Sequence, residues 1–220
     1  FDLGAARSYS NGFEPGADAV FLFFRALFAK HVPYSAWLHT SPYDSEASLI
    51  ITHDVDADSS MILMSAMAEM ERSRGLSATY FITTHYIKDE INHDYYTPYI
   101  QNIRTVASLG HYIGSHSVGH FRDFASEERF PVGSPGLTRE TYSPGYFKGV
   151  TTGGVLFGEL EVSKNLLEND CGVSVRSFRS GHLVFNKSQI NVMNALGYVI
   201  DSSQSANDIL TNFPFFNFAE

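Results

Sequence analysis

Three acidic residues follow an apolar run in the first third of the chain. Residues 49–58 read LIITHDVDAD, so apolar and β-branched residues lead directly into Asp54, Asp56 and Asp58. Such a run is typical of a strand buried on both faces. Because an unpaired buried carboxylate is very costly, the acids after the strand need a metal, another cation or a proton-transfer role. For Asp58, capping of the next helix is the simpler role, since Asp is a good N-cap residue.

Two histidines form a second group whose spacing suits chemistry. Residues 115–120 read SHSVGH, which places His116 and His120 four positions apart. In a helical turn, residues i and i+4 lie on one face with Cβ atoms about 5–6 Å apart. Two imidazoles and one carboxylate can hold one ion and leave an open position for water, as in catalytic zinc sites. A second carboxylate that does not bind the metal can then act as a general base.

The order of strand-like and helix-like segments predicts an α/β fold. The predicted strands cover residues 49–53, 78–83, 111–115, 173–178 and 198–201, and the predicted helices cover 18–30, 60–74, 99–109, 155–169 and 187–196. Strands that alternate with helices imply parallel strands joined by right-handed crossovers. An open doubly wound sheet and a closed barrel both fit this pattern.

The residues that could do chemistry follow the predicted strands. Asp54 and Asp56 follow the first strand, His116 and His120 the third, Arg179 and His182 the fourth, and Asp201 the fifth. In both parallel architectures, ligands bind at the carboxyl ends of the strands. We therefore expect these side chains to gather at one edge of the sheet.

Composition and charge argue against several functions. The 220 residues are 44% hydrophobic, which suits a full-sized core. The formal net charge of -9 favours neither a nucleic-acid partner nor an anionic membrane surface. No apolar stretch approaches the roughly 18 residues of a membrane span, so we expect no membrane insertion. The single cysteine, Cys171, lacks a neighbouring histidine and is expected to be structural.

Four motifs, taken in order, resemble those of the polysaccharide deacetylases, also called the NodB-homology group or carbohydrate esterase family 4. They are THDVD at 52–56, GHYIGSHSVGH at 110–120, FRSGHL at 178–183 and GYVIDSS at 197–203. The resemblance covers about residues 49–203. It implies a distorted (β/α) barrel of the NodB-homology type, with residues 49–220 as the catalytic domain and residues 1–48 as an N-terminal extension packed on the barrel.

The resemblance implies roles for individual residues. Asp54 matches the catalytic base that acts on a metal-activated water, and Arg179 matches the arginine that pairs with this base and orients it. His116 and His120 match the two metal-binding histidines. The family's commonest first motif has two adjacent Asp residues, but some members have an Asp-x-Asp form, in which Asp56 becomes the metal ligand. This is physically reasonable because residues i and i+2 of a strand point to the same side.

Two further motifs depart from the family pattern. Ser180 and Gly181 follow the arginine where a proline is usual, and with Asp201 they are expected to bind substrate. The late Leu-x-His motif that supplies the general acid is not found. A truncated C-terminus would explain its absence; otherwise the role of the acid is empty or is filled by another residue. His182 is a candidate for the acid, and a buried, hydrogen-bonded structural role fits it equally well.

The implied reaction is hydrolysis of an acetamide or acetyl ester on an N-acetylated or O-acetylated carbohydrate polymer. It would use one divalent ion, with Zn²⁺ favoured and Co²⁺, Ni²⁺ or Mn²⁺ accepted by the same donors. Two alternatives remain open: a small-molecule amidohydrolase of the metal-independent allantoinase-like branch, and a catalytically silent carbohydrate-binding domain. A polymer substrate favours an exported protein. The chain begins at Phe1 without a signal-peptide pattern, as a mature product would.

Overall fold

The computed structural model describes residues 16–32, 48–87 and 95–205, together with positions 34, 45, 217 and 219. The chain divides into two compact units, Phe1–Leu49 with Gln204–Asn217, and Ile50–Ser203 with Phe218–Glu220. In the first unit, helix α1 spans Gly16–His31, in agreement with the helix predicted at 18–30. Most of residues 1–48 lie outside the described ones, so an N-terminal extension packed on a barrel stays a prediction. Among the described helices, none is long and apolar enough to cross a membrane.

The second unit is built on a parallel sheet, which confirms the α/β class. Its strands lie in the order β1-β2-β3-β6-β7, and every neighbouring pair is parallel. The strands are β1 (Thr52–Val55), β2 (Thr79–Ile82), β3 (Tyr112–Ser115), β6 (Ser177–Phe178) and β7 (Ile200–Asp201). Strands β4 (Gly145–Phe147) and β5 (Val150–Thr152) form a separate antiparallel hairpin. The described strands do not show closure into a barrel.

The first strand differs from its prediction. It begins at Thr52 rather than at residue 49, and the side chains of Leu49 and Ile50 are 82% and 79% exposed. Only Val55 of this strand is fully buried. The prediction of a strand buried on both faces was wrong because, among the described strands, β1 lies at the edge of the sheet and pairs with β2 alone.

The helices lie close to their predicted positions. They are α2 (Asp58–Ser73), α3 (Ile100–Ser108), α4 (Ser163–Cys171) and α5 (Gln189–Ala195). Helices α2 and α3 pack against each other, and α3 packs against α4. The helix predicted at 155–169 is not a regular α-helix, because a π-helical segment, Gly158–Val162, precedes α4. Such segments insert an extra residue into a helix and are frequent at functional sites.

The start of α2 corrects the role expected for Asp58. The N-cap residue is Ala57. The Ser60 hydroxyl accepts a hydrogen bond from the Ala57 N–H at 3.1 Å and donates one to the Ala57 carbonyl at 2.7 Å. Asp58 is instead the first residue of the helix, where a negative charge interacts favourably with the helix dipole.

The buried face of α4 is expected to contribute strongly to stability. Leu167 on α4 is fully buried, whereas Leu63 on α2 is 63% exposed. Leu167→Ala should lower the free energy of unfolding by about 2–5 kcal/mol, because it removes buried methyl groups and leaves a cavity. Leu63→Ala should change it by no more than about 0.5 kcal/mol. Urea unfolding of both variants tests this, and equal losses would contradict the packing described.

Candidate metal and catalytic site

Arg179 and Asp54 bring together two strands that are not neighbours in the sheet. Strands β2 and β3 separate β1 from β6, so a flat sheet would place β1 and β6 about 14 Å apart. The Arg179 Nη1 group nevertheless donates to Asp54 Oδ1 at 2.7 Å. The guanidinium also lies 4.4 Å from the ring centroid of Phe81 on β2. Arg179 therefore links the end of β6 to β1 across the strands that separate them.

The guanidinium of Arg179 is held by several acceptors besides Asp54. Its Nη2 group donates to Thr52 Oγ1 at 2.9 Å and to Ser202 Oγ at 2.7 Å, and its Nε group donates to the Ser202 carbonyl at 3.2 Å. The Asp54 side chain remains 38% exposed. The arginine therefore orients a carboxylate that solvent or a substrate can still reach.

His116 places an unpaired ring nitrogen near the Asp54 carboxylate. Its Nδ1 atom lies 2.7 Å from the Arg179 carbonyl, which can only accept, so Nδ1 carries the proton. Its buried Nε2 atom has no hydrogen-bond partner and lies 3.8 Å from Asp54 Oδ2. Burial lowers the pKa of His116, which favours the neutral imidazole. A neutral ring with a free Nε2 lone pair is the form that binds a metal.

Asp56 and His120 complete a group that fits a divalent ion. One ligand atom each from Asp56, His116 and His120 all lie within 4.8 Å of one another. His120 Nε2 is 3.4 Å from Asp56 Oδ2, close to the roughly 3.3 Å between donors of a tetrahedral zinc ion. Burial, followed by the neighbouring His116, lowers the pKa of His120 to about 4. Two neutral imidazoles and one carboxylate are a suitable donor set for zinc.

The two histidines do not lie on a helical turn, so that expectation was wrong. Residues 116–120 form an irregular loop after β3, and Ser117 and His120 have φ angles of 67° and 54°. The two imidazole rings still meet, with centroids 4.8 Å apart. The Ser117 hydroxyl accepts a hydrogen bond from the His120 N–H at 3.0 Å. The irregular backbone of the loop thus brings the His116 and His120 rings as close together as a helical turn would have done.

Sequence reasoning missed Glu159, a fully buried acid in the π-helical segment. Its Oε2 atom accepts from the N–H groups of Val118 and Gly119 at 3.1 and 2.9 Å. Its Oε1 atom accepts from the Tyr142 hydroxyl at 2.7 Å. Burial raises the pKa of Glu159 to about 7. A signal was present in the sequence, since this acid interrupts the apolar stretch VLFGEL of a predicted core helix.

The third motif packs against the histidine loop. The Ser180 N–H donates to Ser203 Oγ at 3.0 Å, and the buried Ser180 hydroxyl has no hydrogen-bond partner. A Cβ atom at Gly181 would lie 2.8 Å from the His120 ring, so a larger residue would displace that ring. His182 is exposed rather than buried, and its ring centroid is 4.3 Å from that of His120. Its role as an acid stays a prediction.

Asp201 is engaged in a hydrogen-bond network within the protein. Its Oδ1 atom accepts from Gln189 Nε2 at 3.1 Å and from the Ser203 N–H and hydroxyl at 3.0 and 2.6 Å. Burial raises the pKa of Asp201. Because Ser203 Oγ also accepts a hydrogen bond from the Ser180 N–H, Asp201 stabilises the third motif indirectly, through Ser203. Direct contact of Asp201 with substrate stays a prediction.

Comparison with known proteins gave matches among solved structures only. No family model matches the chain, and no curated protein matches it. A family 4 carbohydrate esterase from Streptomyces lividans is 15% identical, with 70% of this chain and 62% of that chain covered and a TM-score of 0.46. A Streptococcus pyogenes deacetylase is 13% identical, with 80% and 59% covered and a TM-score of 0.45.

A third solved structure is a family 4 pseudoenzyme from Bacillus anthracis. It is 11% identical, with 69% of this chain and 41% of that chain covered and a TM-score of 0.46. The chain thus spans about half the length of the solved structures it matches. The Streptomyces lividans and Bacillus anthracis proteins carry the name of the family whose motifs the sequence resembles.

Replacement of Glu159 by glutamine should remove one pH-dependent contribution to stability. The pKa of the Glu159 carboxyl group is about 7 in the folded protein, whereas the ordinary value for a glutamate is 4.5. Between these values the folded state binds more protons than the unfolded state, so the free energy of unfolding falls as pH rises. The wild type should therefore lose stability relative to Glu159→Gln from about pH 4.5 to about pH 7 and show a constant difference outside that range. Urea unfolding with a chelator present measures this, and parallel pH profiles would contradict it.

Proposed function

We propose that the chain is a metal-dependent hydrolase that removes acetyl groups from an N-acetylated or O-acetylated carbohydrate polymer. The observation that carries this proposal is the meeting of the Arg179–Asp54 pair with the group formed by Asp56, His116 and His120. A carboxylate oriented beside three metal-type donors is the arrangement that hydrolysis of an amide or ester by activated water requires. The order of the sequence motifs supports the same reaction class.

The proposed cofactor is one divalent ion, with Zn²⁺ favoured and Co²⁺, Ni²⁺ or Mn²⁺ compatible with the donors. Held by Asp56, His116 and His120, it would supply Lewis-acid activation of water and of the acetyl carbonyl. The unpaired, buried Nε2 atom of His116 supports this assignment. An imidazole nitrogen kept out of water without a hydrogen-bond partner is costly unless it meets a ligand.

Asp54 is the proposed general base. Its Oδ1 atom is occupied by the Arg179 guanidinium at 2.7 Å, and its Oδ2 atom lies 3.8 Å from the Nε2 atom of His116. The oxygen that faces the proposed ligands is therefore the one able to take a proton from the attacking water.

The remaining motif residues are proposed to complete the substrate site. His182 is exposed beside His120, and we assign it the role of proton donor to the leaving amine or alcohol. Ser180 and Gly181 would contact the acetylated sugar near this point, and Asp201 would act through the Ser203 network.

A second candidate function is a catalytically silent carbohydrate-binding domain. The observation in its favour is the Ser180-Gly181 pair where the family has proline. It predicts carbohydrate binding without acetate release. A metal-independent amidohydrolase of the allantoinase-like branch predicts turnover of a small amide by metal-free protein.

The purified wild type should bind about one equivalent of Zn²⁺ or Co²⁺, and His116→Ala should lose it, because it removes a proposed ligand. His31→Ala, on the exposed surface of α1, is the matched control and should bind normally. Elemental analysis after dialysis against each metal measures the content. A folded wild type that stays metal-free would exclude the metal-dependent mechanism.

Asp54→Asn should lower kcat for acetate release by about 10²- to 10⁴-fold, since the amide cannot accept the proton. Metal content should be retained, because Asp54 is not among the three proposed ligands. Acetate release from chito-oligosaccharides and acetylated xylan is the assay, and Asp58→Asn at the exposed start of α2 is the control. Substrate binding by the wild type without any acetate release would instead support the silent domain.

A further inference from the structure

We infer that Glu159 is a positioning residue that holds the two proposed histidine ligands at their separation by binding the backbone between them. The inference rests on the proposed function, since it concerns the residues assigned there as metal ligands. It adds a residue from a different element, the π-helical segment before α4.

The contacts of Glu159 are directed at the segment between the histidines. One carboxylate oxygen accepts from two consecutive N–H groups, those of Val118 and Gly119 at 3.1 and 2.9 Å. Glu159 and the two N–H groups are buried, so water cannot replace this acceptor. Both residues whose N–H groups it binds lie between His116 and His120 in the sequence.

The loop needs such an anchor because its backbone is irregular. Ser117 and His120 are non-glycine residues at φ angles of 67° and 54°, a left-handed conformation that persists only when surrounding contacts impose it. The Val118 carbonyl accepts a hydrogen bond from the His85 N–H at 2.8 Å, so a carbonyl group of the loop is bound to the segment after β2. The N–H groups of Val118 and Gly119 are bound to Glu159. Loss of the carboxylate would leave two buried N–H groups unpaired and release one side of the loop.

Glu159 is itself held from the other side by Tyr142. The Tyr142 hydroxyl donates to Oε1 at 2.7 Å. The tyrosine ring packs so closely on the helix that a Cβ atom at Gly158 would lie 2.2 Å from it. The Tyr142 carbonyl accepts from the Tyr86 hydroxyl at 2.8 Å. The long connection between β3 and α4, which carries Tyr142, therefore stabilises the histidine loop through Glu159.

The experiment measures affinity for Co²⁺ by calorimetry in metal-depleted wild type, Glu159→Leu and Glu159→Gln. Glu159→Leu should weaken binding by about 10- to 100-fold, the range found when residues that orient metal ligands are lost. Glu159→Gln should stay within about threefold of the wild type, because its amide oxygen can accept from both N–H groups and its NH₂ group can donate to Tyr142.

A variant destabilised at another position distinguishes a positioning role of Glu159 from a general contribution to stability. Leu167→Ala removes a buried side chain from α4, the helix that follows the segment of Glu159, and it should leave Co²⁺ affinity unchanged while lowering stability. A comparable loss of affinity in Leu167→Ala would overturn the positioning role, as would wild-type affinity in a folded Glu159→Leu protein.

If Glu159→Leu does not fold, Tyr142→Phe gives the answer. It removes only the hydroxyl that orients Oε1 and should weaken Co²⁺ binding several-fold, whereas unchanged affinity would overturn the inference. The two proposals fail differently. No Co²⁺ binding by the folded wild type would overturn both, while intact binding in Glu159→Leu together with its loss in His116→Ala would overturn only the role of Glu159.

Discussion

The geometry of the site depends on Arg179, which orients the proposed base and a proposed metal ligand at the same time. Its side chain donates to Asp54, and its backbone carbonyl accepts from His116 Nδ1. The Arg179–Asp54 pair is partly exposed, and such pairs contribute only about 0–1 kcal/mol to stability. The value of the pair therefore lies in orientation, because it sets one carboxylate oxygen towards the His116 Nε2 atom.

The sequence could predict that the site residues gather at one edge of the sheet, because this follows from the parallel order of the strands. In a parallel sheet the carboxyl ends of all strands meet at one edge; Asp54 is the penultimate residue of β1, and His116 and Arg179 directly follow β3 and β6. The errors concern features that local sequence does not determine. An apolar run before a strand looks the same whether the strand is central or at an edge. The loop at 116–120 is not helical because its N–H groups find an acceptor about forty residues away, in Glu159.

The sequence also could not separate residues that face the site from residues that support it. Asp201 belongs to a motif as Asp54 does, and each is one of the last two residues of a strand. In the structure Asp54 is partly exposed, while Asp201 accepts three hydrogen bonds on a single oxygen. Burial raises the pKa of Asp201, and its contacts stabilise Ser203 and, through it, Ser180. The difference depends on side-chain partners from α5 and the chain after β7, which no spacing rule identifies.

The third motif has Ser180 and Gly181 where the family has a proline, and the structure gives a physical reason for this difference. Gly181 passes so close to His120 that any side chain would move the imidazole, and with it the Nε2 atom that lies 3.4 Å from Asp56 Oδ2. Ser180 itself has a φ angle of -70°, which proline could adopt, but proline lacks the N–H group that Ser180 donates to Ser203 Oγ. The Ser-Gly pair is thus compatible with an intact donor group, because the loop that it allows packs directly against one of the proposed ligands.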